Sequence, residues 1–432
     1  MPKKPTVEEL VELARAAAAS AAAYQERFAA EDTESRKIVD IMERFLRAKG
    51  RVVYGGAAIN AHLPADKKFY DPSLYLPDYD FMTSDPLQDC ADLIVAFQGE
   101  GFADVEAKFG IHEGTYKIFV NFRAAADITY MPPDIYSRIV KDSVAIDGIQ
   151  YASPDYLRMN MYLELSRPAG MVSRWEKVYE RLLLLNEVHP IKAGRCVADP
   201  LGAEPGPGPG PGPGAKELHD KLVEIGVAEG VIFLSGIANL GSEAPAGTGK
   251  ESTGAETVIM MTNKSSEVVA RLSSALRLKQ QRFEAKGELL PARTELRTTR
   301  RRLVAVVFET VACHNYTTLA SGYRIGSLDL LIQMYYALYF ADLQSYVRVR
   351  MLCVIQALIA LETDRRAAAA SSGSSSGSSS AHDVFPLECI GHQPQMPELK
   401  KAHRKRVQQK RAEVGAMKIN ERAKRKAKAI PI

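Results

Sequence analysis

The chain has 432 residues, of which 46% are hydrophobic and 25% charged, with a mean hydropathy of −0.16. These are globular values, and they exclude both a wholly disordered chain and a multi-span membrane protein. The net charge of +4 conceals an uneven distribution: residues 400–432 carry 13 Lys and Arg against 2 acidic residues, residues 271–302 carry 10 against 3, and the remainder nets −14. Five cysteines stand at 90, 196, 313, 353 and 389. Their odd number and the lack of a CxxC pair predict neither a disulfide framework nor a zinc site, and hence a reducing compartment. The eight histidines make no HxxxH or HExxH spacing.

Residues 7–48 have few breakers and mixed charge, which predicts helix. The start of the chain has no signal-peptide pattern, and no run of 18 apolar residues occurs, so no membrane span is expected. From Arg51 the texture changes to short apolar runs between turn residues. Val52-Val53-Tyr54 predicts a strand running into Gly55-Gly56, and Tyr79 to Met82 a second one. Tyr116 to Phe122, rich in β-branched and aromatic residues, predicts a third. Asp155 to Leu165 and Trp175 to Leu185 read as helices. Pro205 to Gly214 alternates Pro with Gly and makes an exposed spacer, and Ala367 to Ser380 reads as a flexible loop.

Residues 217–365 repeat the order of the first half: a helix, an apolar run ending in Gly, a basic helix, an apolar strand and two helices. Val53 to Ala58 lines up with Phe233 to Ala238, Phe122 to Tyr130 with Phe308 to Tyr316, and Ser153, Asp155, Leu157 and Tyr162 with Ser327, Asp329, Leu331 and Tyr336. The fold class expected is therefore α+β, with tandem domains, each a small mixed β-sheet flanked by helices. The expected division is a helical segment 1–50, a first domain 51–195, a Pro/Gly linker 196–216, a second domain 217–398 with a flexible loop at 366–381, and a basic tail 399–432.

The chemistry concentrates in Gly55-Gly56, Asp78-Tyr79-Asp80 and Asp127. Residues two apart on a strand face the same side, so Asp78 and Asp80 present two carboxylates together, and Asp127 can supply a third from a neighbouring strand. Three hard oxygen ligands suit Mg²⁺ or Mn²⁺. A Gly-Gly turn before a helix offers backbone N–H groups and close approach for a triphosphate. Taken alone, a DxD is commonly a pair of turn or surface carboxylates. The order Gly-Gly, DxD, strand and Asp is what points to nucleotidyl transfer.

This order resembles the DNA polymerase β-like nucleotidyltransferases and, more narrowly, the poly(A) polymerase catalytic subunits of large DNA viruses. The segments that carry the resemblance are YGGAAIN (54–60), LPDYDFMTSDP (76–86), GTYKIFVNFRAAADITYMP (114–132), YASPDYLRMNMYLELSRP (151–168), RWEKVYERLLLLN (174–186), ACHNYTTLASGYRIGSLDLLIQMYYAL (312–338) and ECIGHQP (388–394). The resemblance implies template-independent addition of AMP from ATP to an RNA 3′ end, with two Mg²⁺ or Mn²⁺ ions held by Asp78, Asp80 and Asp127. It implies that Gly55 and Gly56 hold the triphosphate, with Lys117 a phosphate contact or a surface lysine. Asn60 is expected to cap the helix after the glycine turn. The family further implies either a homodimer or a processivity partner, and a place in the host cytoplasm or the virion, with the nucleus suggested by the basic tail.

The second half lacks the acidic set. The linear match puts Cys313 opposite Asp127, and Glu256 to Met260 opposite the DxD, so the second copy is expected to be catalytically degenerate. Arg297, Arg300, Arg301 and Arg302 in the basic segment are the expected RNA contacts. Cys313-His314 reads as a buried thiol beside a polar loop residue. Ala246 to Thr253 departs from a P-loop, because Glu251 follows Lys250 where Ser or Thr is needed. The competing class of function is a non-catalytic RNA-binding protein on the same fold; a different nucleotide or acceptor is the alternative within the enzyme class.

Overall fold

The computed structural model describes residues 6–70, 77–196, 214–235, 257–287, 289–310, 312–319, 322–341, 348–371 and 379–428. The helical start divides into α1 (Val7–Glu31) and α2 (Thr33–Lys49). Asp32 forces the break: its carboxylate accepts from Ser35 N–H at 3.0 Å and caps α2, and Gly50 ends α2 in the left-handed conformation. α2 buries Ile38, Ile41, Met42, Phe45 and Leu46, a three-and-four spacing that lays one apolar stripe on the sheet.

The chain continues through β1 (Val52–Tyr54), α3 (Gly55–His62), β2 (Tyr79–Thr83), α4 (Pro86–Gly99), β3 (Val105–Phe109), β4 (Thr115–Val120), β5 (Arg123–Tyr130), α5 (Pro133–Asp142), β6 (Val144–Ile146) and β7 (Ile149–Tyr151). Then come α6 (Pro154–Leu165), α7 (Trp175–Val188), α8 (Ala215–Ala228), β8 (Ile232–Phe233), β9 (Val258–Thr262), α9 (Ser265–Leu276), β10 (Lys279–Phe283), β11 (Arg293–Arg297) and β12 (Leu303–Glu309). The last elements are β13 (His314–Thr318), β14 (Arg324–Gly326), α10 (Leu328–Ala341), α11 (Arg348–Ser371), α12 (Ser379–Val384), β15 (Cys389–Ile390) and α13 (Met396–Lys428). No helix among the described residues is long and apolar enough to cross a membrane.

The duplication is legible in topology. The first sheet runs β3-β4-β5-β2-β1-β7-β6 and the second β10-β11-β12-β9-β8-β14-β13-β15. Corresponding strands pair with the same polarity: β2 with β5 and β9 with β12 are parallel, and their hairpin neighbours are antiparallel. Each copy is a small mixed sheet flanked by helices, as expected. The second sheet is covered by Leu222, Val268, Val269 and Leu272 of α8 and α9 against Phe233, Met260, Leu296 and Val307.

By compactness the chain forms two units. One holds the described residues of Met1–Tyr136, Val140–Ala152 and Met396–Ile432; the other holds those of Ser137–Ile139 and Ser153–Gln395. Hence α6 and α7, which the sequence reading assigned to the first domain, group with the second. There α6 packs on α10, its counterpart in the repeat, and Tyr336 donates to Asp155 Oδ1 at 3.0 Å. The basic tail groups with the first unit.

Four sequence expectations are corrected. The cysteines do pair: Cys196 with Cys353 and Cys313 with Cys389, leaving Cys90 as a buried thiol. Pairing depends on Cα atoms lying 5.5 and 5.3 Å apart, which cysteine spacing along the chain does not reveal. The basic segment is not one helix. After α9 it forms β10 and β11, whose residues pair across a ladder that overrides the weak strand propensity of Lys-Gln-Gln-Arg. Ala367 to Ser371 continue α11 rather than forming a loop, as an alanine run readily does. Asn60 lies inside α3 and caps nothing at its start. Its Oδ1 accepts from Phe69 and Tyr70 N–H, both at 3.0 Å, and so pins the following loop. The Pro/Gly alternation to residue 213 and the P-loop-like segment at 246–253 lie outside the described residues.

Candidate active site

Five adjacent strands of the first sheet place one residue each on a single line. Lys108 of β3 pairs with Lys117 of β4, Lys117 with Asp127 of β5, Asp127 with Asp80 of β2, and Asp80 with Tyr54 at the end of β1. Residues directly paired across a sheet share a face and lie roughly 5 Å apart. The line therefore reads two lysines, two carboxylates and a tyrosine. Its neighbours Tyr116, Ile128, Phe81 and Val53, one residue along, turn to the opposite face, where the last three are fully buried.

The strand expected at Tyr116–Phe122 is β4, which ends at Val120, and Asp127 lies on the neighbouring strand β5. Asn121 and Phe122 both adopt positive φ, +48 and +65, and turn the chain back. The turn brings Lys117 opposite Asp127, with which it makes an ion pair. Asp78 precedes β2 by one residue and shares the side of Asp80. Its residue is solvent-accessible. Its carboxyl is nonetheless raised above the ordinary range, first by the protein atoms that strip its hydration and then by the charge of Asp127, with Lys117 opposing.

Gly55 closes the constellation. It sits at φ +73, and a Cβ there would fall 2.8 Å from Asp80 Oδ2, so only glycine leaves the carboxylate its place. Gly55 and Gly56 open α3, whose first N–H groups lack helical partners and suit an anion. The Tyr54 hydroxyl lies 2.9 Å from Thr129 Oγ1 and ties the end of β1 to β5.

The expected ligands supply only hard oxygen donors, which fits Mg²⁺ or Mn²⁺. They are not a ready cluster: among the described residues no three His, Cys, Asp or Glu side chains are gathered to hold an ion. Lys117 places its ammonium on Asp127 instead, so a divalent ion there has to displace it. Lys117 is thus paired with one of the expected ligands.

The expected RNA contacts fall in the second copy. Arg297 ends β11 and donates to Glu295 Oε2 at 2.6 Å and to Arg301 O at 3.2 Å; Arg300, Arg301 and Arg302 form the turn into β12. Arg297 is thereby committed to its own hairpin, while Arg300 and Arg301 are exposed.

Register also corrects the repeat alignment. In the second sheet the line corresponding to Lys108-Lys117-Asp127-Asp80-Tyr54 is Gln281-Glu295-Val306-Ile259-Leu234. The counterpart of Asp127 is Val306, not Cys313, and Thr257 stands for Asp78. The expectation of a copy without acidic ligands holds, now at the correct residues. Ser235 takes the place of Gly55, and its hydroxyl accepts from Ile259 N–H at 2.9 Å, so a side chain fills the space kept open in the first copy.

Residues 40–171 match the family described as poly(A) polymerase catalytic subunit. A protein of Acanthamoeba polyphaga mimivirus, provisionally named poly(A) polymerase catalytic subunit, is 35% identical over 164 residues, 37% of this chain and 27% of that protein. The African swine fever virus protein of the same provisional name is 26% identical over 164 residues, 37% of this chain and 34% of its own length. The chain thus spans about a third or less of these relatives. The crystal structure of the Megavirus polyadenylate synthase superposes with a TM-score of 0.74 at 20% identity, covering 96% of this chain and 85% of that one. The fold is therefore shared over nearly the whole chain.

Proposed function

We propose that this chain, which carries a poly(A) polymerase catalytic-subunit segment in residues 40–171, is a template-independent poly(A) polymerase that adds AMP from ATP to RNA 3′ ends. The observation that carries the reading is the in-register pair Asp80 and Asp127 beside the Gly55 turn. A relic fold has no need of that arrangement, and the second copy has lost it.

Asp78, Asp80 and Asp127 would hold the divalent ions, which lower the pKa of the attacking hydroxyl and neutralise the departing pyrophosphate when bound. Gly55 and Gly56 admit the triphosphate to the N-terminal N–H groups of α3. Lys117, released from Asp127, offers its ammonium to a phosphate oxygen. The Tyr54–Thr129 contact keeps the β1 end, and so Gly55, in register with Asp80. The second copy, with Val306 and Ile259 in place of carboxylates, takes no part in the chemistry and serves to shape the RNA path.

The test is incubation of the chain with a labelled RNA primer, Mg²⁺ or Mn²⁺ and each of the four nucleoside triphosphates separately. Extension by ATP alone is expected, and Asp80→Asn or Asp127→Asn should cut it by about 10²–10³-fold, as for loss of several kcal/mol of charge stabilisation. Extension that survives both substitutions refutes the site. Absence of extension with all four nucleotides favours the non-catalytic RNA-binding alternative.

A further inference from the structure

The basic tail is a helix, α13, and it is anchored. Leu399, His403, Arg406 and Val407 are half-buried, at the spacing of one helical face. His403 Nε2 lies 3.0 Å from Phe109 O, and Arg406 Nη2 donates to Ile111 O at 2.6 Å. Both carbonyls belong to the β3–β4 hairpin. Lys410, on the same helical face, acts electrostatically on Tyr116 of β4. The anchoring contacts are therefore made by one histidine and one arginine, on the face where Leu399 and Val407 are half-buried.

Five other cationic residues among the described side chains have no part in it. Lys400, Lys401, Arg404, Lys405 and Arg411 share the opposite arc of the helix and are exposed. None of the five makes an ion pair with a described residue, and no acidic residue intervenes between Glu398 and Glu413. A solvated helix face ordinarily mixes both signs, because like charges three and four apart repel. A single-sign face held rigidly on the protein suits a polyanion. It does not suit a membrane surface, since the apolar residues a membrane would take up, Leu399 and Val407, are half-buried on the opposite face.

We propose that the exposed face of α13 binds the phosphate backbone of the RNA whose 3′ end is extended. The proposal rests on the polymerase reading for the identity of the RNA, but its test does not depend on catalysis. The hairpin that anchors α13 supplies Lys108 and Lys117, the two cationic members of the line that leads to Asp127 and Asp80. The helix thus fixes a basic surface to the element that carries the site's own lysines, upstream of the last nucleotides.

The experiment compares the full chain with a variant carrying Lys400→Gln, Lys401→Gln, Arg404→Gln, Lys405→Gln and Arg411→Gln. Binding of a fluorescent 25-nucleotide oligoadenylate is followed by anisotropy across a KCl series, with circular dichroism to verify that the helix persists. Each phosphate contact on a single strand contributes about 0.7 to the slope of log K against log salt. The variant should lose about 2–3 of that slope and about tenfold or more in affinity at 100 mM KCl. A second variant, Lys400→Arg, Lys401→Arg and Lys405→Arg, should keep both. An unchanged slope in the glutamine variant overturns the proposal, as does loss of binding to phosphatidylserine vesicles with RNA binding intact. A slope carried by α13 in a chain that adds no AMP leaves the proposal standing and refutes the polymerase reading; normal extension with an unchanged slope does the reverse.

Discussion

Gly55→Ala adds one methyl group where β1 gives way to α3, and it separates backbone strain from displacement of a carboxylate. Gly55 sits at φ +73, where an L side chain costs about 1–2 kcal/mol. The new Cβ would also lie 2.8 Å from Asp80 Oδ2. That atom is the tip of a side chain, so rotating Asp80 is cheaper than moving the backbone. Stability should therefore fall by little more than the strain, about 2–4 °C in melting temperature per kcal/mol for a domain of this size. Asp80 meanwhile leaves its place beside Asp127, and a displacement of about 1 Å at reacting groups costs about 10²-fold in rate. Gly50 provides the control, because it has φ +59 with nothing within 4 Å of its Cβ position. Gly50→Ala carries the strain without the collision. Urea melts and initial rates of AMP incorporation on both variants should show similar losses of stability and a rate loss of about 10²-fold in Gly55→Ala alone. A Gly55→Ala protein with the wild-type rate, or equal rate losses in both, refutes the reasoning.

Three further outcomes follow from the geometry. Lys117→Met removes the ammonium from Asp127 and should tighten Mn²⁺ binding about fivefold, about 1 kcal/mol for a partly exposed pair, while slowing extension; electron paramagnetic resonance titration reads the affinity, and no change would show that Lys117 does not compete there. Burial, and secondarily the charge of Arg167, hold the His314 imidazole down at about 3. The unfolded chain then takes up a proton that the folded chain refuses, so this stability is complete above about pH 6.5 and is lost as pH falls toward 3. At pH 4.5 the loss is about 3 kcal/mol, and chemical denaturation of His314→Gln should show a flatter dependence between pH 7 and 4.5; an identical slope would remove His314 as its source. Thiol titration in denaturant without reductant should find one thiol per chain, Cys90, and five after reduction. The loops of 157 and 76 residues make each bridge worth about 4–5 kcal/mol in the chain-entropy account, so reduction should also lower the melting temperature. Five thiols before reduction would exclude the pairing.

What could be read in the sequence was local. The glycine pair and the DxD lie on adjacent or alternate positions, and their order along the chain is enough to mark them. The role of Lys117 could not be read, because it depends on a turn at Asn121 and Phe122 and on a register shift at Ile118/Phe119 that together bring a residue ten positions away opposite Asp127. A strand for Asp127 was expected, but its bounds could not be read: Arg-Ala-Ala-Ala-Asp has almost no β-branched residues, and pairing with β4 and β2 makes it a strand. The tail was legible as basic, but its anchoring residues are mixed among the charges and become visible only when the β3–β4 hairpin accepts them.

The repeat shows what separates the copy that has the carboxylate pair from the copy that lacks it. A linear match needs an offset of 186 to bring Cys313 opposite Asp127, whereas register gives 179 for both Asp80 to Ile259 and Asp127 to Val306, one less than the 180 that relates Val53 to Phe233. The strands β2 and β5 therefore kept their spacing while the line across them changed chemistry. Val306 and Ile259 bring branched apolar side chains where a carboxylate pair would have to be desolvated, and both are nearly fully buried. Once those carboxylates are gone, nothing requires glycine before the helix, and Ser235 closes the gap with a hydrogen bond to Ile259 N–H. Nothing requires a cation on the neighbouring strand either, and Glu295 stands opposite Val306, held by Arg293 and Arg297. The four positions thus change as a set, which is what is expected if Asp80, Asp127, Gly55 and Lys117 serve one site in the first copy rather than four separate structural needs.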